Sequence, residues 1–342
     1  MLAIVLVGGF GTRMRPLTHN VPKPMLPVGH DPMIERLVGR LACGGVTDVV
    51  LALGFKPEPF QAAFPDGVCH TEFGDVALHY AVEPEPLDTG GAIRFAVDAY
   101  RADHEISGPT VVANGDVVTD LNVGALVESH TASGRNATLH LTAVDDPSAF
   151  GVVDVDDDGT INAFVEKPAP GAEPSNLINA GTYVFEPSIF ELIPAGERVS
   201  IERNTFPLLV SQRAIGGVMT DDYWLDAGRP ELYLAANLDL IKGVRTVESA
   251  VAVHADAEVD PEATVVDSLI GPGACVEAGT TVVDTVVLPG AFIGARSQVE
   301  SSIVMGRVGE DATLIEAVVG AEGVVADGDV VAHSSVPDPG EA

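Results

Sequence analysis

A six-residue repeat in the C-terminal part of the chain restricts the possible folds more than any other feature of the sequence. After about Ser249, one valine, isoleucine or leucine recurs at every sixth position among Gly, Asp, Ala and Pro. The series comprise Val253, Val259 and Val265, then Ile270, Val276 and Val282, then Ile293 and Val299, Val308 and Leu314, and Val318, Val324 and Val330. A hexapeptide period is typical of a parallel β-helix, whose coils bury one apolar residue from each face. The repeat therefore predicts a left-handed or other parallel β-helix over residues 250–335.

The preceding residues, 1–242, alternate short β-rich runs with helical stretches, which favours an α/β domain with a Rossmann-like, mostly parallel sheet. Ala3 to Val7 is predicted as the first strand. Asp31 and Pro32 are predicted to cap and begin a helix that ends at Gly44. The loops that begin at Gly8, Glu83 and Asp116 all follow predicted strands. In open parallel sheets ligands bind beyond the carboxyl ends of the strands, so these loops are candidates for a site.

The charge of the chain excludes several classes of partner. Fifty acidic residues against 18 basic ones give a formal charge of −32, which argues against binding to nucleic acid or to an anionic membrane. Only four of the basic residues are lysines, and the acids are spread along the whole chain, a balance that suggests a high-salt cytoplasm. No apolar run approaches 18 residues and the first residues lack a basic leader, so we expect a soluble cytoplasmic protein.

The loop from Gly8 to Met25, GGFGTRMRPLTHNVPKPM, is the strongest candidate for a binding site. Glycines directly behind a strand let backbone N–H groups approach phosphate oxygens without an intervening Cβ, and Gly8, Gly9 and Gly11 provide them here. Arg13 offers a planar fork to phosphate, and Lys23 a compact charge between two prolines that restrict its backbone. The loop therefore predicts binding of a phosphorylated ligand.

These letters resemble the signature GGxGTRxRPLT…PKPM of the sugar-1-phosphate nucleotidylyltransferases. The resemblance continues along the chain in EPLDTGGA at 85–92, NGD at 114–116, FVEKP at 164–168, INAGTYVFEP at 178–187 and YWLDAGRP at 223–230. It implies transfer of a nucleotidyl group from a nucleoside triphosphate to a hexose 1-phosphate, giving a nucleotide sugar and pyrophosphate.

The resemblance also implies a role for each matching residue. The triphosphate would be held by Gly8, Gly9, Gly11, Thr12 and Arg13, with Lys23 countering charge on the reacting phosphates. Mg²⁺ would be bound by Asp116 and Asp226. Lys167 would contact the sugar phosphate. Glu166 and Asn179 would form hydrogen bonds with the sugar hydroxyls, and Glu83 and Gly91 would lie near the base and ribose.

Elementary chemistry agrees with these roles. An oxygen of the sugar phosphate must attack the α-phosphorus in line with the departing pyrophosphate, and both reactants are anions. A divalent ion and three cationic side chains would neutralise the charge while binding aligns the reactants. The nucleophile is already ionised at neutral pH, so no general base or covalent residue is required.

The substrate pair is less closely defined. PSAFGVV at 147–153, SIERNTFP at 200–207 and ESSIV at 300–304 look most like mannose-1-phosphate guanylyltransferases, which favours GTP with mannose 1-phosphate. Leu87-Asp88-Thr89-Gly90-Gly91 departs from the LGTAG of many relatives, so thymidylyl or uridylyl transfer to glucose 1-phosphate stays open.

Two further functions stay open as well, namely an added sugar N-acetyltransferase activity, for which the β-helix offers only His254 and His333, and a non-catalytic regulatory subunit. Because a flat-sided solenoid presents self-complementary faces, the β-helix also predicts a homo-oligomer.

Overall fold

The computed structural model describes residues 1–9, 11–54, 57–245 and 247–337. Contacts divide these residues into two compact units: unit 1 is Met1–Gly9 with Ile34–Trp224, and unit 2 is the described part of Phe10–Met33 with Leu225–Ala342. The domain boundaries 1–242 and 250–335 stay a prediction from the sequence.

Up to Ile241, short strands alternate with helices. The strands are β1 Leu2–Leu6, β2 Pro27–Val28, β3 Asp31–Pro32, β4 Asp48–Leu53, β5 Val68–Thr71, β6 Gly74–Val82, β7 Thr110–Asn114, β8 Val117–Thr119, β9 Ala137–Ala143, β10 Gly151–Val155, β11 Ile161–Glu166, β12 Leu177–Phe185, β13 Ile215–Met219 and β14 Trp224–Asp226. The α-helices are α1 Met33–Cys43, α2 Glu58–Ala63, α3 Asp88–Arg101, α4 Val123–Ser133, α5 Phe206–Ser211 and α6 Pro230–Ile241.

Unit 1 is built on one large sheet of order β11-β10-β12-β7-β1-β4-β6-β5, in which β9 also pairs with β12 and β13 pairs with β9. The four central strands β7, β1, β4 and β6 are parallel, whereas β5, β10, β11 and β12 pair antiparallel on the flanks. Ile4, Val50 and Val112 are fully or almost fully buried at the centre of the core cluster, as expected of parallel strands covered on both faces. The predicted α/β fold class is confirmed.

The start of the first helix differs from the prediction. The helix α1 ends before Gly44, as predicted, and buries one face that consists of Ile34, Leu37, Val38 and Leu41. The predicted cap is wrong, because Asp31 and Pro32 form strand β3 and pair with Val28 and Pro27 in a two-stranded hairpin. The helix therefore begins only at Met33.

The C-terminal part of unit 2 is a parallel β-helix. It contributes strands β15 Glu258–Val259, β16 Thr264–Val266, β17 Leu269–Ile270, β18 Cys275–Val276, β19 Thr281–Val283, β20 Val286–Val287, β21 Phe292–Ile293, β22 Gln298–Glu300, β23 Ile303–Val304, β24 Arg307–Val308, β25 Thr313–Ile315, β26 Val318–Val319, β27 Val324–Val325, β28 Val330–Ala332 and β29 Ser335–Val336. These form three parallel five-stranded sheets, and successive coils stack in register, as in the ladder Val276, Ile293, Val308 and Val325. The predicted parallel β-helix is confirmed and is consistent with a left-handed one.

The predicted inward series Val318, Val324 and Val330 is one residue out of phase with the buried positions, and Val253, at the start of the repeat, is 40% exposed. Val324 and Val330 are 65% and 72% exposed, while Val325 is buried and Val331 packs against the core. Adjacent valines alternate between the two faces of a strand, so a six-residue period fits either member of a Val-Val pair.

Within the described ranges, no helix combines the length and the apolarity needed to cross a bilayer.

Candidate active site

Three charged side chains of unit 2 converge on one glycine. A Cβ built on Gly228 would lie 2.8 Å from Oδ1 of Asp226, 3.2 Å from an Nη of Arg13 and 3.3 Å from Nζ of Lys23. Lys23 is buried, and its Nζ forms an ion pair of 3.7 Å with Oδ1 of Asp226, whose side chain is 26% exposed. Asp226 is thus partly buried beside a cationic partner.

Local turns hold the two cations in place. Gly11 adopts a left-handed backbone (φ 58°) that a side chain would strain, and its carbonyl accepts from the Thr18 hydroxyl at 2.7 Å. A 3₁₀ turn over Thr12–Met14 then leaves Thr12 and Arg13 exposed, while Met14 is buried beneath them. A second 3₁₀ turn, Lys23–Met25, begins after Pro22. Arg13 is thus exposed to solvent on a turn that is held by the buried Met14 and by the hydrogen bond between Thr18 and Gly11.

In unit 1, Asp116 and the first glycines lie at the ends of neighbouring parallel strands. Gly8 and Gly9 follow β1, Asp116 follows β7, and the backbone N–H of Gly115 donates to the carbonyl of Leu6 at 2.9 Å. A Cβ on Gly115 would lie 2.7 Å from Cγ1 of Val7, so only glycine fits this close approach. The half-buried Asp116 therefore lies at the carboxyl edge of the sheet.

The motif that contains Asn179 packs against the strand that leads to Asp116. Asn179 accepts from the backbone N–H of Gly181 at 3.0 Å and donates to the Tyr183 hydroxyl at 2.9 Å. Gly181 (φ 77°) packs against the Asn114 side chain, which a Cβ would approach to 2.7 Å. The register of β12 shifts between Asn179 and Tyr183, and within this irregularity the carbonyl of the buried Ala180 accepts from the Trp224 indole at 2.8 Å.

Glu166 ends strand β11, and Lys167 follows it. The Lys167 ammonium is 60% exposed and lies 3.7 Å from the Glu166 carboxylate, and its backbone has a left-handed φ of 49°. Burial raises the pKa of Glu166, and the nearby Glu202 carboxylate raises it further. Glu202 is itself held by hydrogen bonds of 2.7 Å from the hydroxyls of Thr89 and Ser200. This corner of unit 1 thus combines one accessible ammonium with oxygen acceptors.

Glu83, in the loop before α3, and Gly91, in the first turn of α3, have clear structural roles. The buried Glu83 carboxylate accepts from the backbone N–H of Leu87 at 2.9 Å, and burial raises its pKa. A Cβ on Gly91 would lie 2.5 Å from the carbonyl of Glu197. Both residues fix the start of α3, and their contact with base or ribose stays a prediction.

Sequence reasoning missed four residues of these clusters: Gly115, Gly181, Gly228 and Glu202. Each lies in a motif that the sequence displays, namely NGD, INAG, DAGRP and SIERN. What the letters could not show is that the three glycines mark places where a Cβ has no room.

The described residues contain no group of three or more His, Cys, Asp or Glu side chains able to enclose a metal ion. Asp116 and Asp226 still offer the hard carboxylate oxygens that Mg²⁺ prefers. Mg²⁺ commonly takes only one or two carboxylates, together with substrate phosphates and water. Each aspartate is therefore chemically suited to be a ligand of Mg²⁺ that binds together with substrate.

Comparison with known proteins assigns both parts of the chain. The profile of the family described as "Nucleotidyl transferase" matches residues 2–243, and that of "GlmU-like, C-terminal hexapeptide" matches residues 249–340. The mannose-1-phosphate guanylyltransferase of Mycobacterium tuberculosis is 37% identical over 286 residues, covering 81% of this chain and 77% of the relative. The mannose-1-phosphate guanyltransferase of Kluyveromyces lactis is 39% identical over 240 residues, covering 70% of this chain but only 64% of the relative.

A solved structure agrees with these matches. HddC from Yersinia pseudotuberculosis, in a complex with GMP-PN, has a TM-score of 0.56 and 28% identity, covering 69% of this chain and 97% of that one.

Proposed function

Because the chain belongs to the nucleotidyl transferase family, we propose that it transfers a guanylyl group from GTP to mannose 1-phosphate, releasing pyrophosphate. An oxygen of the sugar phosphate forms the new bond to the α-phosphorus, and the bond from that phosphorus to the β-phosphate bridging oxygen breaks. The observation that most directly supports this reaction is the convergence of Arg13, Lys23 and Asp226 around Gly228. In a chain with a charge of −32, this cluster contains two cations, which a polyanionic substrate requires.

Each of the three cationic side chains has its own role in the proposed reaction. Arg13, exposed on its turn, can approach phosphate oxygens with two parallel N–H groups. Lys23, buried beside Asp226, supplies a charge whose strength benefits from limited screening by water. Lys167 is accessible enough to meet the phosphate of the sugar. No residue has to remove a proton, because the attacking phosphate oxygen is already ionised.

Mg²⁺ is part of this proposal, with Asp116 and Asp226 as its protein ligands. When bound with substrate, the ion would withdraw charge from the phosphate oxygens and orient the triphosphate. The two aspartates reach this role from different motifs, NGD and YWLD.

The choice of substrates depends on relatives named as mannose-1-phosphate guanylyltransferases from bacteria and yeast, together with the pattern of motifs. The departure at Leu87–Gly91 keeps thymidylyl and uridylyl transfer to glucose 1-phosphate as the second candidate. Nothing in the β-helix favours acetyl transfer, since His333 is exposed and bonded to Glu316, and His254 packs against His30.

The acidic, lysine-poor composition also leads us to place the protein in a high-salt cytoplasm, and the β-helix to expect assembly into a homo-oligomer. High salt shortens the Debye length and makes such a charge tolerable. Light scattering and unfolding curves at low and molar KCl would check both expectations.

A substrate screen tests the reaction itself. Purified protein with Mg²⁺ in molar KCl would be offered each of GTP, dTTP, UTP and ATP with mannose, glucose and N-acetylglucosamine 1-phosphates. Pyrophosphate release and the mass of the nucleotide sugar would be measured. We expect the highest kcat/KM for GTP with mannose 1-phosphate. Another preferred pair would replace the proposed substrates, and absence of pyrophosphate from every pair would favour a regulatory subunit.

A further inference from the structure

The loop segment with Arg13 and Lys23 makes its densest contacts with the C-terminal part of the chain. Residues 11–33 group with α6 and the β-helix in unit 2, although they follow β1 in sequence. The residues between the two cations include Met14, Pro16, Leu17 and Thr18, all of them buried. What these residues pack against therefore sets where the cations lie.

One turn of the β-helix packs directly against the middle of this segment. Gly320, which follows β26, lies so close to Pro16 that an added Cβ would be 2.7 Å from Cβ of Pro16 and 3.1 Å from its carbonyl oxygen. Two residues further on, Glu322 accepts from the Asn20 side chain at 2.9 Å. Two points of the turn thus contact two points of the loop.

The turn itself has little freedom to move. The backbone N–H of Gly320 donates to the carbonyl of Val336 at 2.8 Å, and its carbonyl accepts from Gly323 at 2.8 Å. The first bond joins the turn to the next coil and the second closes the turn itself, so a displacement of Gly320 would disturb the β-helix. If a side chain were added at Gly320, the loop that contains Pro16 would therefore have to shift.

The far end of the segment is anchored to the same unit. The backbone N–H of Gly29 donates to the buried Asn237 of α6 at 2.8 Å, and the Tyr233 hydroxyl donates to the carbonyl of Pro27. His30 Nε2 lies 2.8 Å from the carbonyl of Val251. Lys23 is therefore placed between an anchor on the β-helix turn and an anchor on α6.

We propose that the turn Gly320–Glu322 is a positioning element of the phosphate-binding loop, so that the β-helix sets the placement of Arg13 and Lys23 for catalysis in addition to any role in assembly. The inference rests on the proposed function for its kinetic consequences, although not for the structural link. Gly320 acts here through Pro16 and contacts no substrate.

Two glycine substitutions in the full-length protein separate positioning from stability. The backbone of Gly320 is not left-handed, so Gly320→Ala tests the space beside Pro16 rather than backbone strain. Gly309→Ala is the matched control, because its Cβ would also be crowded, but only by residues of the β-helix around Asp327.

For Gly320→Ala we expect kcat/KM to fall by at least about tenfold, because small displacements of charged groups are costly in catalysis. Hydrogen exchange in peptides covering 11–28 should quicken, while assembly measured by light scattering stays unchanged. Gly309→Ala should leave exchange in 11–28 and kcat/KM near wild type even if its melting temperature falls. Equal losses in the two variants, or unchanged exchange and kinetics in Gly320→Ala, would overturn the proposal.

The side-chain contact gives a second measurement. Asn20→Asp places a carboxylate opposite Glu322 and should raise the KM for GTP, and Glu322→Gln added to it should restore much of the loss. Failure of the second change to restore KM would count against the contact. If wild-type protein transferred no nucleotide to any acceptor, the proposed reaction would fail, whereas the exchange measurements would still decide the structural link.

Discussion

Nζ of Lys23 lies 3.7 Å from Oδ1 of Asp226, with the ammonium almost wholly buried and the carboxylate about one quarter exposed. The distance is that of an ion pair rather than a hydrogen bond. Burying an ammonium is costly unless an opposite charge compensates it, and Asp226 supplies that charge. In the proposed function, Lys23 of this pair neutralises the reacting phosphates and Asp226 binds Mg²⁺.

Lys23→Met should remove the buried charge while keeping most of the side-chain volume. We expect kcat/KM to fall about 100- to 1000-fold, the range seen when one preorganised electrostatic group is removed from an active site. Lys242→Met is the control, because Lys242 forms a more exposed ion pair with Asp284 at the end of α6. Steady-state kinetics of both variants decide the matter, and a Lys23→Met enzyme within threefold of wild type would contradict the role.

Gly228→Ala should damage the site without unfolding the protein. Its Cβ would intrude on Asp226, Arg13 and Lys23 together, so we expect a large fall in kcat with little change in melting temperature. Gly39→Ala serves for comparison, since Gly39 lies within α1 with open space around it. That change should leave kcat intact and stabilise the helix by about 0.5–1 kcal/mol. Full activity in Gly228→Ala would show that the convergence has no catalytic significance.

Lys167→Met should act on the sugar phosphate rather than on the nucleotide. Its ammonium is exposed, so its removal should raise the KM for mannose 1-phosphate about 10- to 100-fold, equivalent to about 1.4–2.8 kcal/mol. The KM for GTP should change little. The two constants can be measured separately by varying one substrate at saturating levels of the other, and an equal rise in both would argue against the assignment.

His140 should make the protein sensitive to mild acid. The residue is fully buried in β9, with Nε2 2.8 Å from the Thr220 hydroxyl, and burial lowers its pKa to about 4. Above the ordinary histidine value both folded and unfolded chains hold it neutral. As pH falls from about 6.5 towards 4, only the unfolded chain takes up the proton. The free energy of unfolding therefore falls by up to about 3 kcal/mol.

His140→Gln keeps a polar group for Thr220 but cannot titrate, so it should flatten this loss of unfolding free energy between pH 6.5 and 4. Denaturant titrations at several pH values and constant high salt would measure it. The exposed His70, whose pKa is raised by its hydrogen bonds to Asp75 and Asp66, provides the control substitution His70→Gln. If the unfolding free energy of His140→Gln fell with pH as steeply as that of wild type, His140 would not be the cause of the acid sensitivity.

The sequence could predict those features that are repeated or local. Six-residue spacing was enough to predict the β-helix, since stacked coils require a buried apolar side chain at a fixed interval. It could not decide between Val324 and Val325, because neighbouring residues of a strand differ only in the face that they present. Asp31-Pro32 likewise suited a helix start, but pairing with Pro27-Val28 placed it in a hairpin instead.

By itself, then, the sequence determined the α/β fold followed by a β-helix and the chemical type of each candidate residue, and it predicted phosphate binding by Gly8–Met25. Only the tertiary structure decided that Arg13, Lys23 and Asp226 meet at Gly228, and that Pro16 contacts Gly320, some 300 residues away. The physical reason is that periodicity and loop chemistry act over a few residues. Contacts between distant segments depend on packing, and here on glycines that leave no room for a Cβ.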